Sequence, residues 1–117
     1  MDESTRHNES WSLEFYMDRQ GRSPVAEFLH DVPSPERDKI RRYLGYLEKS
    51  GPALGMPHAR HIRGRLWELR PDSHRVLYAQ TSRRFVVLSA FRKTSRKTPR
   101  GTISHALRRL DDLLARE

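Results

Sequence analysis

Four basic side chains fall where they suit a phosphate. Arg70 closes the run Arg65-Leu-Trp-Glu-Leu-Arg70, Arg75 opens the run Arg75-Val-Leu-Tyr-Ala-Gln80, and Arg92-Lys93 close the run that begins at Phe85. If these runs are strands of an antiparallel meander, the end of the first, the start of the second and the end of the third meet at one end of the sheet. Arg70, Arg75, Arg92 and Lys93 then converge into a compact anion site, and the planar fork of a guanidinium matches two phosphate oxygens at once. The residue types predict contact with a phosphate backbone.

Other constellations carry less. His58 and His61 have the spacing of one helical turn, but no carboxylate lies beside them in sequence and arginines crowd them, so they read as loop histidines and no metal site is expected. No phosphate-binding glycine loop, dinucleotide fingerprint, His-Glu-x-x-His zinc motif or EF-hand loop occurs. The absence of cysteine excludes disulfides and thiolate metal sites. Trp11, Trp67, Tyr43 and Tyr46 sit in apolar patterns and read as core anchors, and Asp111-Asp112 as solvated helix surface.

The charge supports the same partner. The chain has 117 residues and a formal net charge of +8. Residues 58–109 hold fourteen Lys and Arg against Glu68 and Asp72, a local +12, so the remainder is net negative. Such concentration repels itself unless a polyanion compensates it, and nucleic acid is the commonest such partner. Arg63, Arg65, Arg92, Arg96, Lys97 and Arg100 are the expected RNA-binding residues.

These groups need a scaffold. Residues 1–10 read as a flexible leader, too polar for a signal peptide, and 11–117 as a single domain. No apolar run approaches a membrane span, which predicts a soluble, cytoplasmic protein without membrane contact. Alternation predicts a strand over Trp11–Tyr16, and Ser23-Pro24 opens a short helix to about His30. Ser34-Pro35 opens a second, whose Ile40, Tyr43, Leu44 and Leu47 share one face up to about Lys49. Gly51–Gly64 reads as a loop. Three strands follow, over 65–70, 75–80 and 85–92, joined by links short enough for hairpins. Thr98-Pro99 opens a C-terminal helix packed by Ile103, Leu107 and Leu110. The order β-α-α-β-β-β-α predicts a small two-layer α+β domain with a mostly antiparallel sheet.

Several segments together resemble a known family. WSLEFYMDRQGRSPVAEFL, GPALGMPHARHIRGRLWELR, RVLYA and VVLSAFRKTSRKTPRGTISHALRRL are similar to the RelE/ParE toxin superfamily, most of all its HigB-like, phage-derived branch. The likeness runs from about residue 10 to the end, and its most specific pieces are L-W-E-L-R, R-V-L-Y and F-x-K-x(3)-K-T-P. It implies a RelE-like fold with N-terminal helices, a small antiparallel sheet and a C-terminal helix. It also implies the toxin of a type II toxin–antitoxin pair: a metal-independent endoribonuclease without cofactor, cutting mRNA on the ribosome and silenced by a helix-turn-helix antitoxin. Arg75 then matches the phosphate-stabilising arginine, supported by Arg70 and Lys93 or Arg92. The C-terminal Tyr or His of many relatives has only His105 as a counterpart, so the general base is open among Glu68, Lys93 or Lys97, and His74. A non-catalytic binding module and a ParE-like gyrase inhibitor are the alternatives on the same fold.

Overall fold

The computed structural model describes residues 11–117, and the leader expected over residues 1–10 lies outside the described residues. Strand β1 is Ser12–Phe15. Helix α1, Pro24–Asp31, begins where expected: the Ser23 hydroxyl accepts from the Ala26 amide at 3.2 Å and Pro24 occupies the first turn. Helix α2 runs Ser34–Ser50 and has Pro33 at its cap with no side-chain capping bond, so Ser34 is the first helical residue instead of the cap. Strands β2 (Ala59–Arg63), β3 (Leu66–Leu69), β4 (His74–Thr81) and β5 (Arg84–Arg92) precede helix α3, Arg100–Ala115. Among the described residues no helix is long and apolar enough to cross a membrane.

The α+β class and the mostly antiparallel sheet are as expected, with two differences in architecture. The sheet order is β1-β5-β4-β3-β2, antiparallel except for the parallel β1–β5 pair. The first difference is β2, in the segment read as loop. Its sequence Ala-Arg-His-Ile-Arg has too few apolar residues to show a period, yet β3 offers a free edge and the backbone pairs there from Ala59↔Leu69 to Arg63↔Leu66, with an irregularity between His61 and Arg63.

The second difference is that the domain has three layers, because both sheet faces are apolar. Leu69, Val76, Tyr78, Phe85 and Val87 pack against Val25 and Leu29 of α1 and Ile40, Leu44 and Leu47 of α2. Leu66, Leu77, Ala79, Val86 and Leu88 pack on the other side against Ile103, Ala106 and Leu110 of α3. Leu107 is only partly buried, and Ala106 takes the centre of that seam. A bulge in β5 changes which face its end presents. The β4 partners step from Ser89 to Val87 between Leu77 and Tyr78, so one residue is extra and the alternation inverts beyond it. Ala90 therefore joins the α1–α2 core and Phe91 the α3 core.

Two contacts fix the periphery. Gly51, with φ of +59°, lies under the Trp11 indole, and a Cβ there would sit 2.2 Å from the indole nitrogen. Gly51→Ala combines left-handed strain with this clash and is expected to cost about 2 kcal/mol in urea unfolding. Asp112, read as solvated helix surface, is instead a tie point. The Tyr16 hydroxyl donates to it at 2.7 Å, Arg19 at 2.9 Å and Arg116 at 2.8 Å. The Tyr16 bond is the main reason its carboxyl is held below the usual carboxylate range, with the two arginines adding to it.

His74 lies buried on the α1–α2 side with its ring edge-on to Phe28 at 5.8 Å. Burial lowers its pKa, outweighing the opposite pull of Glu36, and Arg92 lowers it further. A histidine depressed in the fold binds its proton more readily when unfolded, so its contribution is present above the unfolded pKa and is lost as pH falls through the folded one. Between pH 7 and pH 5 the Tm is expected to fall, and His74→Phe to make that fall shallower. An unchanged pH slope would show that other groups, such as His105, set it.

Candidate active site

Glu68 is the centre of the most unusual cluster. It is a carboxylate 1% exposed in the middle of β3, on the α3 side of the sheet with Leu66. Burying a carboxylate is costly unless cations and hydrogen bonds surround it. The strand pairing supplies the cations. Arg60 of β2 stands directly across from Glu68, and Leu77 of β4 across on the other side, which puts Arg75, two residues before Leu77, on the same face. Arg70 follows two residues later on Glu68's own strand direction, its amide bonded to His58. One carboxylate oxygen, Oε1, lies 3.5 Å from Arg60, 3.9 Å from Arg75 and 4.0 Å from Arg70. The hydroxyl of Thr98 donates to the other oxygen. Thr98 is thus spent on the site and does not cap α3, whose cap position is Pro99 with no side-chain bond.

The three guanidiniums are close without being hydrogen-bonded to the acid. Oε1 of Glu68 and the Nε atoms of Arg60 and Arg70 are buried with no partner. Arg75 is held differently. Its Nη1 donates to the Asp72 carbonyl at 2.8 Å and the His74 carbonyl at 2.7 Å, so the β3–β4 turn, with Asp72 at φ +58°, clamps the fork. Burial lowers the Arg75 pKa, as does Arg70, and Glu68 opposes them. An arginine stays charged under such a shift. Three cations around one anion leave the cluster net positive and able to accept another anion. Beside it, an open cleft of ≈ 320 Å³ is lined by Arg60, His61, Ile62, Lys97, Thr98 and Ile103.

Of the basic residues expected to converge, Arg70 and Arg75 do so. Arg92 does not: beyond the β5 bulge it stands opposite His74 and reaches Glu36 of α2 at 3.3 Å. The Lys93 amide bonds the Ser73 carbonyl at 2.7 Å, which keeps this residue at the same end of the sheet with an exposed side chain. His74 neighbours Arg75 in sequence but projects to the opposite face. Lys93, Arg96, Lys97 and Arg100 form an exposed basic connection from β5 to α3. Arg63 and Arg65 lie at the β2–β3 turn, and Arg65 donates to the Gln80 carbonyl at 3.1 Å. That is the far end of the sheet, about 17 Å from Arg75 at the strand rise. Arg60 and Thr98 were missed as site residues. The signal available for Arg60 was the buried-acid problem itself, since a central-strand Glu needs a cation on each neighbouring strand.

The family model described as "Phage derived protein Gp49-like (DUF891)" matches residues 27–111. No curated protein matches the chain by sequence at a significant level. Two solved structures share its architecture. One is the RelBE2 toxin–antitoxin complex of Mycobacterium tuberculosis, with TM-score 0.55 and 14% identity over 72% of this chain and 99% of that one. The other is a mutant of the Escherichia coli toxin RelE in the free state, with TM-score 0.53 and 20% identity over 86% of this chain and 98% of that one. The two solved structures show a shared fold; the family match spans α2, the whole β2–β5 meander and most of α3, and therefore every residue of the Glu68 cluster, and the chain belongs to the phage-derived Gp49-like family.

Proposed function

We propose that the chain is the toxin of a type II toxin–antitoxin pair and that it cuts mRNA, on the translating ribosome, by attack of a ribose 2′-hydroxyl on the adjacent phosphate. The observation that carries this reading is the gathering of Arg60, Arg70 and Arg75 around buried Glu68 beside an open cleft. In the reaction the 2′-oxygen bonds to phosphorus, the bond from phosphorus to the 5′-oxygen breaks, and a 2′,3′-cyclic phosphate and a 5′-hydroxyl result. The pentacovalent phosphate carries more charge than the ground state, so pre-placed guanidiniums lower the barrier. Arg75 is the chief stabiliser because its fork is already clamped. Glu68 is a positioning residue, since its burial keeps it from reaching a substrate hydroxyl.

Proton transfer falls to the titratable groups at the cleft. The His61 ring is not one of them, because His61 stands opposite Trp67 in the β2–β3 register and its ring lies 5.2 Å from that indole, on the face away from Glu68. Lys97 lines the same cleft and donates to the leaving 5′-oxygen. The exposed basic connection through Lys93, Arg96 and Arg100 holds the strand or rRNA. A helix-turn-helix antitoxin is the proposed silencing partner, and the cytoplasm the proposed compartment. Induced expression followed by transcript-end mapping tests the reading: new internal mRNA ends should appear with growth arrest. Growth arrest without new ends would favour a non-catalytic binder or a gyrase inhibitor on this fold, which the burial of the cluster's carboxylate also suits.

A further inference from the structure

We propose a second ligand site, a pocket for one unpaired nucleobase of single-stranded RNA, at the end of the sheet opposite Arg75 and on its α1–α2 face. The pocket has a volume of ≈ 220 Å³. Trp67, Tyr78 and Phe85 give it aromatic walls, Pro52 and Leu54 close one side, and Arg65 and Gln80 stand at its polar side. Tyr78 is 3% exposed, and among the described residues its hydroxyl has no hydrogen-bond partner. As a lining residue of the pocket, Tyr78 offers a hydroxyl that can both donate and accept.

The other polar groups have capacity to spare. Gln80 donates its amide N–H to the Ser82 carbonyl at 3.0 Å, which leaves its side-chain oxygen as an acceptor. Arg65 donates one N–H to the Gln80 carbonyl and keeps others. A donor-acceptor hydroxyl, an acceptor and a guanidinium around an aromatic pocket match the edge and face of a splayed-out base, and an aliphatic side chain would leave all three unmet. Arg65 lines the pocket and is exposed, and Arg63, also exposed, lies across the β2–β3 turn from it. A strand's phosphates would engage this charge, which selects RNA over an apolar peptide. The site is independent of the cleavage chemistry, since it lies on the other face from Glu68.

The test uses the full chain as Trp11→Phe, which leaves Trp67 as the sole tryptophan. The probe is a 2′-O-methyl hexaribonucleotide, which 2′-hydroxyl attack cannot cut. Saturable quenching of Trp67 fluorescence is expected, weakened roughly five- to tenfold by Arg65→Ala and by Tyr78→Phe, the range of a lost base or phosphate contact. Tyr78→Phe should leave the Tm unchanged, because it keeps the buried ring and removes no hydrogen bond formed among the described residues. Absence of quenching, or full affinity in both variants, would overturn the proposal. Equal affinity for adenosine or uridine 5′-monophosphate would assign the pocket to a free nucleotide, and equal affinity for duplex RNA would rule out base insertion. Either result also overturns it.

Discussion

Arg75→Ala is expected to lower translation-coupled mRNA cleavage about a hundredfold or more, the scale of losing one pre-placed donor to a developing oxyanion. The variant should remain folded, because the clamp on Arg75 consists of turn carbonyls that water can satisfy once the side chain is gone. Arg42→Ala is the matching control. It removes the same charge from an exposed position on α2, on the opposite side of the sheet, and should change the rate severalfold at most. Equal damage by the two variants would mean that overall charge, and not a placed group, drives activity.

The largest stability effect is expected at Glu68. Removing its carboxylate leaves Arg75, whose side chain is 9% exposed, beside Arg60 and Arg70 with no counter-ion. Breaking a buried pair from one side costs about 3 kcal/mol or more. The Arg60 and Arg70 side chains are 41% and 26% exposed, so water screens their share and the total should sit at the low end. Glu68→Ala should therefore lower the Tm by on the order of 10 °C or more. Glu68→Gln, which keeps an oxygen for the Thr98 hydroxyl, should lose less. Urea unfolding of the two variants decides this, and a Glu68→Ala protein as stable as the parent would show that the three arginines do not depend on the acid.

Much of the scaffold is legible in the residues. Ser23-Pro24, the Ile40–Leu47 stripe and the alternating runs after Gly64 each become the expected element, because local signals and burial agree there. β2 escapes for the opposite reason: Ala-Arg-His-Ile-Arg forms a strand only because β3 has a free edge. The placement of Arg92 fails through one inserted residue, since the β5 bulge reverses every side chain beyond Leu88 and strict alternation assumes no bulge. The site is half legible. Arg70 and Arg75 follow from strand-end geometry, and Glu68, two residues before Arg70, falls on the same strand face as Arg70. Arg60 and Thr98 come from segments read as a loop and a helix cap, and only tertiary pairing brings them to the carboxylate. His74 shows the limit of adjacency, for next to Arg75 in a strand means facing away from it.

The most direct test of the central claim is the chemistry of the cut ends. RNA cleaved by the purified protein in a reconstituted translation reaction should carry a 2′,3′-cyclic phosphate or its opened monophosphate on one side and a 5′-hydroxyl on the other, as mass spectrometry and end-labelling report. These ends should become scarce with Arg75→Ala. Fragments ending in 3′-hydroxyl and 5′-phosphate would mean that water, not the 2′-hydroxyl, attacks phosphorus, and that the assignment of roles around Glu68 is wrong.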